Sequence, residues 1–198
     1  MAVQEAQARA ARRAEGRDVL RTVQLGPTLT TEEAYAWFGT FLGLFPPFAI
    51  FARIVGGALA KEATWRLPTA DGLLFWGLLF LGMNAVCCLV GRKMGASLGR
   101  RFGDPRRWRW PVFVSSSLLM AVAWGVVTGG AGGAVGFILG AFFGMACAVA
   151  VALAAFPAFA VLHRLLSHGG MIEERRLWPL AFGVPLTMTA LILSPWIF

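Results

Sequence analysis

Few residues in this sequence could do chemistry, and they are scattered: His163 and His168, Cys87, Cys88 and Cys147, the triplet Ser115, Ser116 and Ser117, and the acids Asp104, Glu173 and Glu174. A helical metal pair needs ligands three or four apart on one face, whereas the two histidines are five apart. The cysteines lack C-x-x-C or Cys/His spacing and lie in apolar stretches, so they read as small buried residues. A serine nucleophile needs an adjacent base. Both histidines lie far along the chain, so the triplet reads as hydroxyls bonding back to the preceding helical turn. Asp104, Glu173 and Glu174 sit among arginines, the setting of solvated ion pairs rather than of a general base. The sequence therefore predicts no catalytic residue, no metal site and no cofactor. A lipid-directed enzyme using one of those acids ranks third among the functional readings.

Two polar residues are notable for where they lie. Arg53 and Asn84 fall inside apolar runs, where a polar group is costly unless it finds water or a partner. The Arg53 stem can carry its guanidinium toward the interface near Glu62 or Asp71, or the charge can serve a solute. Asn84 can bond across to another helix or to a ligand. Pro46-Pro47 removes two backbone donors from the middle of the first apolar run, which predicts a kink. The sharper reading is a broken helix lining a transport site.

The elements that must hold these residues are set by composition. Of 198 residues, 58% are hydrophobic and 14% charged, outside the usual balance of a soluble domain. Several runs approach the ~20 apolar residues needed to cross a hydrocarbon core. The expected fold is all-α, a polytopic integral membrane bundle of about five helices. Its spans are placed roughly at 35–59, 72–91, 111–128, 133–156 with an extension to 167, and 178–198. Residues 1–29 are expected to form a cytoplasmic surface helix or a partly disordered segment, and 30–198 the bundle. Thr30 and Glu33 have the spacing of a capping box, which marks a helix start before the first run.

Inside the fourth run Gly136, Gly140, Gly144, Ala148 and Ala152 recur at every fourth position. On a helix they form one stripe, a groove along which another helix can approach closely. The run Gly129 to Gly133 predicts a hairpin turn before it, and Gly125 and Gly129, four apart, make the third helix the nearest candidate to fill part of the groove. Partner subunits or a second copy of the chain are the alternative occupants.

Arg92, Lys93, Arg100, Arg101, Arg106, Arg107 and Arg109 form the densest charge cluster and predict a cytoplasmic loop touching anionic lipid headgroups. Within it, GASLGRRFGDPRR loosely resembles the loop between the second and third helices of major-facilitator transporters, although that signature carries an acid where Gly99 or Arg100 stands here. The formal charge of +8 is gathered at the ends of apolar runs, which argues for lipid rather than nucleic acid as its partner.

The positive-inside rule then puts the N-terminus in the cytoplasm and the C-terminus opposite. The arginines from Arg9 to Arg21, the cluster, and Arg164, Arg175 and Arg176 fall inside, with Arg53, Lys61 and Arg66 toward the other face. Trp37, Trp108, Trp110 and Trp178 are expected at the inner interface, and Trp65, Trp76, Trp124 and Trp196 at the outer one. A bacterial-type inner membrane is the expected location. The leading expectation is a non-catalytic subunit of a larger membrane complex. The alternative is a small transporter or channel component with a polar path near Pro46, Pro47, Arg53 and Asn84.

Overall fold

The computed structural model describes residues 27–61 and 70–194, with side chains placed for 27–53 and 74–194. The expectations for the N-terminal segment, for Lys61, Glu62, Trp65, Arg66 and Asp71, and for Trp196 fall outside those limits. The chain is nearly all helical. Strand β1 (Thr28–Thr30) leads into α1 (Thr31–Lys61), followed by α2 (Ala70–Phe102) and a single 3-10 turn at Pro105–Arg107. Helix α3 (Trp110–Gly133), a second 3-10 turn at Ala134–Gly136, α4 (Phe137–Leu166), strand β2 (Met171–Glu173) and α5 (Glu174–Leu193) complete it.

Four helical stretches are long and apolar enough to cross a membrane: Thr31–Arg53, Leu74–Phe102, Trp110–Leu166 and Glu174–Leu193. The third has 57 residues, about 85 Å if straight. It folds back on itself at the 3-10 turn, so that α3 and α4 lie antiparallel.

Local signals explain the starts and stops. The Thr30 hydroxyl accepts from the Glu33 backbone N–H at 3.3 Å while a Glu33 carboxylate oxygen accepts from the Thr30 N–H at 2.9 Å, so two orphan donors of α1 are satisfied reciprocally. Helix α4 ends at Leu166, and Gly169 and Gly170, with φ of 59° and 77°, turn the chain into β2. That strand pairs antiparallel with β1, Leu29 opposite Ile172, and pins the start of α1 to the connection between α4 and α5.

Three sequence expectations are corrected here. The glycine run 129–133 is helical to its end, and the turn lies at Ala134–Gly136 with Phe137 at φ 69°. The cluster Arg92 to Arg109 is not a loop throughout. Arg92, Lys93, Arg100 and Arg101 ride on the exposed side of α2, which continues to Phe102, and only 103–109 connect helices. The expected loop at Glu173 to Arg176 is strand at Glu173 and the first turn of α5 after it.

The packed core fills the end of the bundle where α1, α3 and α5 begin. Tyr35, Phe38, Phe102, Phe113, Phe156 and Phe159 are fully buried there, with Phe38 stacked on Phe159 at 4.0 Å between ring centroids. Toward the opposite end the helices present large apolar side chains outward, from Leu74, Phe75 and Trp76 to Phe137, Ile138 and Leu139.

Candidate functional site

Two glycine seams build the site. Along the first, α1 meets α2: Gly39 lies against Gly91 and Gly95, Gly43 against Cys87, Gly95 against Tyr35 and Gly99 against Thr31. Along the second, α3 meets α4: Gly125 faces Val149, Gly129 faces Gly144 and Ala148, and Gly133 faces Gly140. A Cβ on either side would overlap the backbone opposite, so glycine is used here for close approach rather than for turning. Of the stripe in the fourth run, Gly140, Gly144 and Ala148 are covered by α3 of the same chain, Ala152 is fully buried, and Gly136 has nothing within 4 Å of its Cβ position. The first seam escaped sequence reading, although Gly91, Gly95 and Gly99 also stand at every fourth position.

Trp124 joins the two hairpins. It is 2% exposed, its ring lies on Gly91, and its indole N–H donates to the Gly91 carbonyl at 3.2 Å. The expectation that it marks an outer interface is therefore corrected: an indole with a buried carbonyl to bond need not reach the polar headgroups. A weaker link runs from the Cys87 thiol to the Thr128 carbonyl at 3.8 Å.

Beyond Trp124 the hairpins separate and leave a cleft of about 210 Å³. Helix α1 gives it Gly43, Pro46 and Pro47, α2 gives Cys87, α3 gives Thr128, and α4 gives Cys147. The cause is the seam itself. Gly129, Gly133, Gly144 and Ala148 are too small to fill the space on their free side, and the aromatic core stops short of them. No charged side chain lines the cleft among the described residues. The Thr128 hydroxyl in its wall is buried with no hydrogen-bond partner. Helix α1 continues through Pro46 and Pro47 without interruption.

Arg53 and Asn84 do not line this cleft. The α1–α2 register sets Asn84 level with Pro46, about 10 Å along the axis from Arg53. Asn84 is buried, and its side-chain oxygen lacks a partner. Arg53 donates to the carbonyls of Ile192 and Ser194, both at 2.9 Å, and so serves the unpaired C-terminal end of α5. Replacing it by Met should cost about 1.5–3 kcal/mol, the worth of charge-assisted bonds. Hydrogen exchange over 188–194 should accelerate first, and unchanged exchange there would refute the capping role.

The cation cluster is partly committed to structure in the same way. Arg106 donates to the carbonyls of Arg164 and Leu165 at the end of α4, Arg100 pairs with Glu32 at 2.5 Å, Arg107 pairs with Asp104 at 3.5 Å, and Arg92 lies over the Trp37 ring. Lys93, Arg101 and Arg109 are exposed alongside them. Arg164, by contrast, is buried, donating to the Trp108 carbonyl at 2.7 Å with its guanidinium over Trp110 and Phe113. The acids considered as bases are engaged too: Glu173 with Arg176 at 2.9 Å, and Glu174 accepting from the Trp178 indole. His163 is fully buried edge-on to Tyr35, while His168 is exposed. Among the described residues no three His, Cys, Asp or Glu side chains converge.

Comparison with protein-family models, with curated proteins and with solved structures finds no match for this chain.

Proposed function

We propose that the chain is a non-catalytic integral membrane protein of five spans, an accessory subunit of a larger membrane assembly that holds an apolar guest in the cleft between its two hairpins. The cleft carries this reading. Four helices converge on a preformed apolar space, and the small residues that create it are spent on closing the hairpins. Taking α3 and α4 as separate spans gives the fifth crossing. The charge distribution supports the orientation: among cations with described side chains, Arg53 alone sits away from the end where α1, α3 and α5 begin, and that end is assigned to the cytoplasm. A bacterial inner membrane would suit such an asymmetry.

The transport alternative requires Arg53 and Asn84 to share a polar path. Arg53 is spent on the end of α5, and neither residue lines the cleft, so the guest-holding reading is preferred. The test of assembly is purification from native membranes in a mild detergent. A co-purifying membrane protein is expected, and a stable monomer with nothing bound would overturn the subunit role.

Orientation is tested separately with single added cysteines and a membrane-impermeant maleimide. Gly136→Cys, at a position with open space around it, should label in intact cells. Arg107→Cys should label only after permeabilisation, and the reverse pattern would invert the assigned topology.

A further inference from the structure

We propose that the outer mouth of the cleft is covered by the chain's own segment 195–198, with Trp196 and Phe198 turned inward, so that a guest enters only when this segment lifts. This rests on the guest-holding reading above and adds the control of access to the site. The mouth exists because the two hairpins differ in height. The Cβ position of Gly82 on α2 is 3.8 Å from Val135 Cγ1, so the α3–α4 turn is level with Gly82. In the α1–α2 register, where Gly39 meets Gly91 and Gly43 meets Cys87, Gly82 falls level with Phe48. Helix α1 runs on from there to Lys61. Ile50 and Phe51, which line the cleft, therefore stand about 3–5 Å beyond the turn. Residues 134–142 add nothing to the lining, and Phe137, Ile138 and Leu139 point away from it with exposures of 84%, 76% and 84%. At its outer end the cleft thus has a wall from α1 and none from the α3–α4 turn.

What arrives at this level is the end of α5. Arg53 lies one turn beyond Ile50 on the same side of α1, and its guanidinium holds the carbonyls of Ile192 and Ser194, both at 2.9 Å. The backbone leaves the helix at Ser194 with φ −62° and ψ 133°, an extended conformation. Pro195 has no N–H with which to resume the ladder, and the three residues after it, Trp196, Ile197 and Phe198, are all apolar. Four extended residues reach about 13 Å, whereas Arg53 and Ile50 are only about 5 Å apart along the axis. In an extended segment Trp196 and Phe198 fall on one side. Two aromatic side chains are thereby brought to a lining that has no charged side chain among the described residues. Seated there, they supply the van der Waals contacts that the missing wall leaves unmade.

The test uses the full chain in detergent micelles and has two arms. In the first, photoreactive p-benzoylphenylalanine replaces Trp196 and its attachment is mapped by mass spectrometry. Adducts are expected within the same chain, on peptides spanning 42–51 or 143–151. A covalent dimer would assign the mouth to the segment of a second copy, and adducts on detergent alone would leave it to lipid; either result overturns the proposal. In the second arm, a diazirine-bearing alkylbenzene labels the cleft peptides and propylbenzene competes. Trp196→Ala should lower the half-saturating concentration about five- to ten-fold, the change expected when a segment seated about 80–90% of the time is released. Trp196→Phe should stay near the wild type. Should Trp196→Ala not yield folded protein, Phe198→Ala carries the same expectation. Equal saturable labelling of the alanine variant and the wild type overturns the cover while leaving the guest-holding reading. Absence of saturable labelling in both overturns the guest-holding reading and, with it, the control of access.

Discussion

Gly129→Val should cost about 3 kcal/mol or more and largely abolish the folded bundle, as read by thermal denaturation in nanodiscs. A Cβ at this position would overlap the Gly144 carbonyl oxygen and stand 2.5 Å from the Ala148 methyl. The obstacle on one side is backbone, so no rotamer change relieves it, and α3 and α4 must separate along much of the seam. Overpacking of a well-packed site usually costs about 1–3 kcal/mol, with larger values where nothing can yield. In a bilayer the loss is felt fully, because helix association there depends on close van der Waals contact rather than on exclusion of water. Gly95→Val, whose Cβ would overlap the Tyr35 carbonyl, should behave alike on the other hairpin. Gly183→Ala is the control: nothing lies within 4 Å of its Cβ position, and loss of a helical glycine should leave stability unchanged or raise it by up to ~1 kcal/mol. Equal behaviour of Gly129→Val and Gly183→Ala would refute the seam.

The same glycines show how far the sequence could be read. Apolar runs disclose the helices, because burial of backbone in a helix requires no knowledge of neighbours. The reciprocal cap of Thr30 and Glu33 is equally local and equally legible. A four-residue glycine spacing is visible too, but its meaning depends on what faces it. Gly136 to Ala152 lies in an unbroken apolar stretch and reads as a groove. Gly91, Gly95 and Gly99 have the same spacing but are interleaved with Arg92, Lys93 and Arg100, so a loop is expected where the charges occupy the exposed face of a continuing helix. The run 129–133 reads as a turn because glycine favours turns, yet Gly129 and Gly133 lie against the α4 backbone and Gly130 against the Met145 side chain. The turn is left to Ala134–Gly136 and Phe137. The cleft and the β1–β2 pairing, which joins segments some 140 residues apart, depend on tertiary placement that no local signal carries.

Trp124 offers the sharpest separation of shape from bonding in this bundle. Trp124→Ala should destabilise by about 2–3 kcal/mol, below the usual range for burying an aromatic ring in a soluble core. The transfer of a side chain from water contributes little when the unfolded helices also sit in lipid, so the cavity and lost contacts with Gly91 and Phe156 account for most of the cost. Trp124→Phe keeps much of the ring and loses the indole N–H, leaving the Gly91 carbonyl without that donor. That carbonyl retains its place in the α2 helix, so the loss should be about 1 kcal/mol. The guest site should respond in a different order. Trp124 lines the cleft, so Trp124→Ala enlarges it and should admit a bulkier apolar guest such as hexylbenzene, while Trp124→Phe should not. If Trp124→Phe instead destabilises as much as Trp124→Ala, the bond to Gly91 rather than the ring's volume holds the hairpins together. The cleft would then owe its width to a single hydrogen bond.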